Sequence, residues 1–509
     1  MNAHIRHIHG TALISLLILF AFSSLVRAQV TLPNVFSDHM VLQRNLENPI
    51  WGKASKGEKI TVTIGDQTQR TISDKDGFWR VKLNPMTAGG PYILTVKGSN
   101  GEVRITDILI GEVWICSGQS NMEFALENIY NAEVEQAAAN FPEIRLLSIP
   151  KTGRPELQDD VPATWTICSP ESTGAFSAVG YLFGKNIHNT LGVPVGLINA
   201  SWGGSPIEAF IPRNVQENCG ECLPYLEKWD KKMTNYTDET FKQEQKEYQE
   251  WLAADKPGAK KWPPADQRIA NKRPANIYNG MIHPLKGYGI KGVIWYQGEA
   301  NIYDPDKYKI SFPLMINTWR NLWQQGDFPF YWVQLADFEL EQTLPNDSRW
   351  AELREAQTST LSLPNTGQAV IIDLGEQRDI HPREKNTAAS RLTRHALANA
   401  YGFELQAKSP QYVSMKKEGN AIILTFDNID KGLYAFDVEE VKGFAIAGAD
   451  KKYYWAEAKI IGKNQIEVMA DKVKDPVAVR YGWADNPIVN LYDENGLPVT
   501  PFRTDDWSK

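Results

Sequence analysis

Short apolar runs in the middle of the chain constrain the fold most. Each run ends in small or polar residues, and the runs lie at 113–115, 195–199, 292–296, 330–335 and 369–373. Stretches with a helical pattern separate them, as at 178–189 and 308–324. Because strands that are apolar on both faces must be covered on both faces, this alternation predicts an α/β fold with a parallel sheet between two helical layers. Active sites in such sheets lie beyond the carboxyl ends of the strands.

Different patterns flank this α/β region. Residues 29–106 show short alternating runs separated by turn signals, which predicts an N-terminal β-sandwich domain. Alternation returns over 406–509 and predicts a C-terminal β-domain. The domain between them, 107–405, carries a polar helical insertion at about 214–273.

The first 28 residues have the pattern of a secretory signal peptide. Arg6 precedes a largely apolar stretch at 11–25, and Val26 and Ala28 occupy the two positions that specify cleavage. A membrane anchor is the alternative, but the apolar core is short against the roughly 20 residues of a spanning helix. We therefore expect an exported protein, periplasmic or secreted, whose mature chain does not insert into the membrane.

The net charge and the cysteine content limit which partners and cofactors we expect for this chain. The formal net charge is -7, which argues against a nucleic-acid or anionic-membrane partner because both require a basic surface. Cys219 and Cys222 have the spacing of a redox or zinc site, but no second such pair and no nearby histidine accompany them. We expect no metal and no cofactor, and either a local disulfide or two thiols. The sequence leaves the oligomeric state open.

A candidate nucleophile follows the first apolar run of the α/β region. Residues 118–122 read Gly-Gln-Ser-Asn-Met, directly after the apolar stretch 108–116. A glycine before a serine, where a buried strand should stop, is typical of a sharp turn that exposes the serine hydroxyl. The pattern makes Ser120 a candidate nucleophile and predicts a hydrolase.

The scarcity of histidine narrows the choice of base. Of eight histidines, three fall in the predicted signal peptide and most others lie in the β-domain or in predicted helices. His381 is the strongest candidate because it lies in a loop after the last strong strand, with Asp379 two residues earlier on the same side of an extended segment. The alternative is that this segment is only the start of a helix, which Asp379 and His381 cap without a catalytic role. His283 fits a structural role better.

Two other strand ends carry candidate oxyanion donors. Gly203 and Gly204 follow the strand that ends at Asn199, and paired glycines let a backbone N–H approach a bound carbonyl closely. After the strand at 292–296, Gln297 could donate a side-chain N–H to the oxyanion, and Glu299 could orient the histidine. Tight turns with no catalytic role are the alternative for both segments.

Taken in order, these motifs resemble those of the sialate O-acetylesterase family, within the SGNH (GDSL-like) hydrolases. The motifs that carry the resemblance are Gly-Gln-Ser-Asn-Met at 118–122, Gly-Gly-Ser-Pro-Ile-Glu at 203–208, Trp-Tyr-Gln-Gly-Glu-Ala-Asn at 295–301 and Asp-Ile-His-Pro at 379–382. The resemblance implies a flavodoxin-like three-layer α/β/α core and metal-free hydrolysis of acetyl esters on carbohydrates.

The resemblance also implies roles for particular residues. It assigns Ser120 as nucleophile and His381 as base, with the backbone N–H groups of Ser120 and of Gly203 or Gly204 forming the oxyanion hole. The superfamily usually has Asp-x-x-His and an oxyanion asparagine, whereas this chain has Asp-x-His and Gln297. Asp379 therefore leads as the acid, and Glu299 is the alternative.

The function predicted from the sequence is that of an exported serine esterase that removes O-acetyl groups from carbohydrates, in the manner of a sialate O-acetylesterase. An acetylesterase acting on xylan, mannan or pectin is one alternative. A secreted carbohydrate-binding protein with an inactive hydrolase core is an alternative of another class. A glycosidase with paired carboxylates would leave the motif at 118–122 without a role.

Overall fold

A computed structural model describes residues 29–254 and 261–507. The predicted signal peptide at 1–28 lies outside the described residues, and so does a short part of the insertion. Within the described ranges, no helix is both long and apolar enough to cross a membrane.

The N-terminal region is built from short strands, most of them antiparallel. Strand β3 pairs with β4 on one side and with β6 on the other, and β2 pairs with β5 in a separate ribbon. The strands are β1 (Val41–Gln43), β2 (Asn48–Lys53), β3 (Lys59–Ile64), β4 (Gln67–Ile72), β5 (Phe78–Leu83) and β6 (Gly89–Lys97).

The central sheet has the order β13-β12-β11-β7-β10-β8-β9, and every pair in it is parallel except β8 with β9. Its strands are β7 (Glu102–Gly118), β8 (Phe141–Ser148), β9 (Thr166–Cys168), β10 (Val195–Ser201), β11 (Gly292–Tyr296), β12 (Phe330–Val333) and β13 (Thr366–Ala369).

Strand β7 belongs to both regions. Its residues 102–110 pair with β6, and its residues 112–118 pair with β10. The predicted boundary at 106/107 therefore falls inside one continuous strand of 17 residues. The change from alternating to continuous apolar character marks where β7 passes from a one-sided to a two-sided environment.

Helices cover both faces of the central sheet. They are α1 (Ser120–Glu123), α2 (Ala132–Ala137), α3 (Pro170–Thr173), α4 (Ala178–Leu191), α5 (Arg213–Glu217), α6 (Leu223–Thr234), α7 (Asp238–Ala253), α8 (Pro305–Trp323), α9 (Arg349–Ser359) and α10 (Lys385–His395). Short 3-10 helices lie at Leu126–Asn128, Ile207–Phe210, His283–Leu285, Glu299–Asn301 and Thr360–Ser362, and π-helical turns at Tyr278–Ile282 and Ala396–Ala400.

Side chains of β7 alternate between two cores. Val113 and Ile115 face the core that contains α8, and Trp114 and Cys116 face the core that contains α4 and α10. The α/β fold with a sheet covered on both faces is confirmed.

The insertion predicted at 214–273 contains α6 and α7, and the solvated helix expected from its charges corresponds to α7. Cys219 and Cys222 form a disulfide just before α6.

The C-terminal region is a β-structure with its own core. Its sheets have the orders β14-β15-β20-β19, β18-β17-β21-β23 and β16-β22. The strands are β14 (Gln411–Glu418), β15 (Ala421–Asp427), β16 (Leu433–Ala435), β17 (Phe444–Gly448), β18 (Tyr453–Trp455), β19 (Glu457–Gly462), β20 (Gln465–Met469), β21 (Pro476–Tyr481), β22 (Leu491–Asp493) and β23 (Phe502–Arg503).

Candidate active site

The turn after β7 is shaped by a glycine that no other residue could replace without strain. Gly118 has φ +137°, and a Cβ built on it would lie 2.2 Å from the carbonyl oxygen of Tyr296. The next N–H, that of Gln119, donates to the same oxygen at 3.0 Å. This close approach to β11 ends the strand and places Ser120 at the first position of α1, where a backbone N–H has no acceptor within the helix.

His381 and Asp379 stand beside this serine. His381 Nε2 lies 2.8 Å from Ser120 Oγ, and His381 Nδ1 lies 3.2 Å from Asp379 Oδ1. The same Asp379 oxygen accepts the backbone N–H of His381 at 2.9 Å. The side chain of Asp379 is 55% exposed and that of His381 33%, so the pair opens to solvent. Ser120, His381 and Asp379 thus lie in hydrogen-bonding sequence, an arrangement that nucleophilic catalysis can use.

Glu299, the other candidate acid, has a different partner. Its Oε1 accepts from Asn121 Nδ2 at 2.5 Å, and its buried Oε2 has no hydrogen-bond partner among the described residues. No hydrogen bond joins it to His381 in the described part of the chain. Burial raises the pKa of Glu299, while Asn121 and the charges of Lys385 and His381 oppose that rise. Of the two carboxylates, the one beside His381 is Asp379.

Asn121 and Lys385 belong to the site, and sequence reasoning missed both. Asn121 donates to Glu299 and to the carbonyl of Ile380, and its Oδ1 accepts from Lys385 Nζ at 2.6 Å. Lys385 is fully buried at the start of α10, and burial lowers its pKa to about 7. Because Ile380 precedes His381, Asn121 ties the histidine loop to the turn that carries Ser120.

Gly203 is the glycine that lies against Ser120. A Cβ on Gly203 would lie 3.3 Å from Ser120 Cβ, whereas one on Gly204 would meet only Asn271 Nδ2 at 3.9 Å. The N–H of Gly203 donates to Glu123 Oε2 at 2.6 Å, and the other oxygen of Glu123 pairs with Lys151. The N–H next to Ser120 is therefore already directed at a negatively charged oxygen.

Gln297 does not point its amide at an oxyanion position. The amide is fully buried, and its nitrogen donates to Ser205 O at 3.2 Å and Asn301 Oδ1 at 2.8 Å. Its oxygen accepts from Tyr308 at 3.0 Å. The hydrogen bonds of the Gln297 side chain therefore give it a structural role, in contrast to the oxyanion-donor role that the sequence suggested.

Gln119 connects two of the sequence motifs, a role that the sequence did not reveal. Its Oε1 accepts from the backbone N–H groups of Gly298 and Ala300, at 3.4 and 3.2 Å. The two motifs at 118–122 and 295–301 are thus held together by hydrogen bonds.

The described residues contain no cluster of three or more histidine, cysteine or acidic side chains that could hold a metal ion.

The chain is similar to a described protein family and to named enzymes. The family model SASA, described as carbohydrate esterase, sialic acid-specific acetylesterase, matches residues 260–402. The sialate O-acetylesterase of Mus musculus is 31% identical over 518 residues, which cover 91% of this chain and 92% of the mouse protein. The sialate O-acetylesterase of Homo sapiens is 31% identical over 517 residues, which cover 92% of this chain and 91% of the human protein.

A solved structure supports the same grouping. The crystal structure of a carbohydrate acetylesterase from Xanthomonas citri matches with a TM-score of 0.81 at 37% identity, covering 94% of this chain and all of that one. The similarity to the mouse and human enzymes extends over 91% and 92% of this chain. The chain therefore belongs to the sialate O-acetylesterase family of carbohydrate esterases, enzymes that hydrolyse carboxylic esters.

Proposed function

We propose that this chain is an exported serine esterase that removes O-acetyl groups from carbohydrates through an acetyl-serine intermediate. The observation that carries the proposal is the 2.8 Å approach of His381 Nε2 to Ser120 Oγ, with Asp379 on the other ring nitrogen. For Nε2 to accept the serine proton, Nδ1 must carry the hydrogen, which then donates to Asp379. Asp379 is the acid in this proposal.

Acylation begins at the serine. Ser120 Oγ attacks the acetyl carbonyl carbon while His381 Nε2 takes the hydroxyl proton, and the carbonyl oxygen becomes an oxyanion. When the tetrahedral intermediate collapses, the bond to the sugar oxygen breaks. The sugar oxygen leaves with the proton from His381, and the acetyl group stays on Ser120.

Two backbone N–H groups fit the oxyanion. One is the N–H of Ser120 in the first turn of α1, and the other is that of Gly203. The carboxylate of Glu123 holds the Gly203 N–H in the absence of substrate. The acetyl oxygen must therefore displace Glu123 before both donors can stabilise the developing charge.

Deacylation repeats the same steps with water. His381 removes a proton from the water as the water oxygen attacks the acetyl-serine carbonyl, and the proton returns to Ser120 as the ester bond breaks. Acetate is released and the serine hydroxyl is restored. Apart from the ester and the attacking water, each step uses only side chains and backbone groups described above.

For the substrate, we propose an O-acetylated sialic acid. The mouse and human relatives are named sialate O-acetylesterases, and their similarity covers most of both chains. Acetylated xylan, mannan or pectin is the second candidate, because the similar Xanthomonas citri structure is that of a carbohydrate acetylesterase. Export follows from the signal-like pattern at 1–28.

The decisive experiment is Ser120→Ala, assayed for acetate release from 4-nitrophenyl acetate, from acetylated sialic acid and from acetylated xylan and mannan. We expect Ser120→Ala to abolish all esterase activity and all labelling by a fluorophosphonate. Ser117→Ala is the matched control, since Ser117 Oγ donates only to the Ala200 carbonyl inside the sheet. Full activity in Ser120→Ala would overturn the assignment, and failure of the wild type to react with fluorophosphonate would favour an inactive binding protein.

A further inference from the structure

One face of the β2–β5 ribbon combines aromatic and cationic side chains. Trp51 pairs with Arg80 and Lys53 pairs with Phe78 in the antiparallel register. Directly opposed residues and their neighbours two positions along share one face, so all four side chains lie on the same side. Phe78 is 41% exposed despite its size. We call these four residues the ribbon face.

The other face of the ribbon explains why this one is available. Ile50, Trp79 and Val81 are buried in the core of the N-terminal region. Trp51, on the ribbon face, is partly buried and packs edge-on against Phe36, with the ring centroids 4.6 Å apart. The exposed ring of Phe78 is surface that the N-terminal core does not account for.

The ribbon face forms one wall of a cavity of about 610 Å³. His283, Lys286 and Trp323 line the other side. A second cavity of about 430 Å³ shares Arg80, Gly287, Trp323 and Gln324 with the first. Both volumes lie in the range of small-molecule sites, and the shared walls make one elongated groove that suits a chain of sugars.

Cations and carboxylates both line this groove, and the carboxylate of Asp160 has hydrogen bonds but no ion-pair partner among the described residues. Lys53 lies 3.9 Å from Asp159. Asp160 accepts from the backbone and side chain of Asn34 and from the N–H of Val161. Arg80 and Lys286 have no ion-pair partner within the described ranges, and the Arg80 guanidinium lies beside Gly287, the neighbour of Lys286.

This groove is far from the nucleophile along the sheet. Lys286 precedes β11 and Trp323 precedes β12, so the groove lies at the amino ends of these parallel strands. Ser120 follows the carboxyl end of β7, which runs parallel to β11. The groove and Ser120 thus lie at opposite ends of the parallel strands of the same sheet.

From these observations we infer that the ribbon face and the loop at 283–287 form a second carbohydrate-binding site, separate from Ser120, for an oligosaccharide whose sugars carry carboxylates. The apolar C–H face of a sugar ring packs on Phe78 and Trp51. Arg80 and Lys286 bind the carboxylate, and the planar guanidinium of Arg80 can do so through two parallel hydrogen bonds. The site holds a polymeric substrate while the esterase site acts elsewhere on it.

The test is binding of defined oligosaccharides to the full chain by calorimetry. The acidic probes are an oligomer of galacturonic acid and an oligomer of sialic acid, and the neutral probe is a cello-oligomer of the same length. We expect at least one acidic probe to bind, more weakly as salt is raised, and the neutral probe to bind less well. The two acidic probes distinguish which carboxylated sugar the groove prefers.

Variants locate the binding. Arg80→Gln and Phe78→Ala should each weaken the acidic probe about tenfold, the effect of losing one charge-assisted bond or one ring contact. Arg70→Gln is the matched control, because Arg70 is an exposed arginine on β4 of the same region. All three should hydrolyse 4-nitrophenyl acetate at the wild-type rate, since the groove lies at the other edge of the sheet.

Blocking the nucleophile separates this inference from the proposed esterase activity. Protein labelled at Ser120 with a fluorophosphonate should bind the acidic probe as well as unlabelled protein does. Loss of binding on labelling would place the probe at the esterase site and overturn the inference. Equal binding of acidic and neutral probes, or unchanged binding in both Arg80→Gln and Phe78→Ala, would also overturn it.

Discussion

The side chain of His381 contacts Ser120 and Asp379, whereas Glu299 contacts Asn121. Asp-x-His places the carboxylate two residues before the histidine, so that one Asp379 oxygen reaches both the ring and the backbone N–H of His381. The short spacing is therefore compatible with an orienting carboxylate. Substitutions of single residues therefore distinguish the two candidate acids, Asp379 and Glu299.

We predict that Asp379→Asn lowers kcat by about 10³- to 10⁴-fold, because an amide cannot hold the histidine in the required tautomer or stabilise the imidazolium. Glu299→Gln should cost far less, since a glutamine oxygen can still accept from Asn121. The measurement is kcat on 4-nitrophenyl acetate for both variants. The reverse order would assign the role to Glu299.

Glu123 offers a second residue-scale prediction. Its carboxylate competes with the acetyl oxygen for the Gly203 N–H. Glu123→Gln removes that negative charge and should raise kcat/KM by up to about fivefold, the modest effect expected of a partly exposed charge. Glu127→Gln, an exposed neighbour, should leave the rate unchanged. A lower rate in Glu123→Gln would mean that Glu123 holds Gly203 in place rather than competing for it.

At the scale of elements, the turn between β7 and α1 could be predicted because its signals are local. An apolar run that ends in glycine and serine is visible in one stretch of sequence. The contacts of Asn121 are not local, since its partners Glu299 and Lys385 lie 178 and 264 positions away. Only the meeting of strand ends at one edge of the sheet brings them together, so the sequence could not reveal their pairing. The same holds for the hydrogen bonds that fix Gln297.

Gly118→Ala tests the turn as an element. The new methyl would meet the Tyr296 carbonyl, and the residue would keep an unfavourable φ. We expect a loss of at least about 3 kcal/mol of unfolding free energy and of nearly all activity. Gly326→Ala is the control, since it has φ +68° with no atom within 4 Å of the new methyl, and it should cost only about 1–2 kcal/mol. Urea unfolding and esterase assays of both variants measure the difference, and equal losses would show that the clash at β11 is unimportant.

At the scale of the whole molecule, the catalytic and C-terminal regions form one structure. Arg354 is fully buried on α9 and donates to the carbonyls of Leu335 and Ala336 in one region and of Ala484 and Asp485 in the other. Composition and alternation predicted a separate C-terminal β-domain. They could not show a buried arginine joining it to the core, because an arginine in a helix is normally a surface residue.

The buried His395 predicts how stability depends on acid. Burial lowers its pKa to about 4, from about 6.5 for an exposed histidine. Between these values the unfolded chain binds a proton that the folded chain does not, so stability falls as the pH drops from 6.5 to 4. His395→Gln should lose about 2–3 kcal/mol less unfolding free energy than the wild type between pH 7 and pH 4.5. Urea unfolding at both pH values is the measurement, with His188→Gln as the control, and parallel losses in wild type and His395→Gln would contradict the assignment.

The continuous strand β7 has a consequence for how such proteins can change in evolution. Recombination at the predicted domain boundary near residue 106 would divide strand β7, so the N-terminal region is not an independent module. The pairing of β7 with β6 is irregular at Thr106 and Asp107, and Asp107 has φ +54°. Because one strand is shared by both paired regions, the N-terminal region cannot move away from the sheet that carries Ser120 without breaking the pairing of β7.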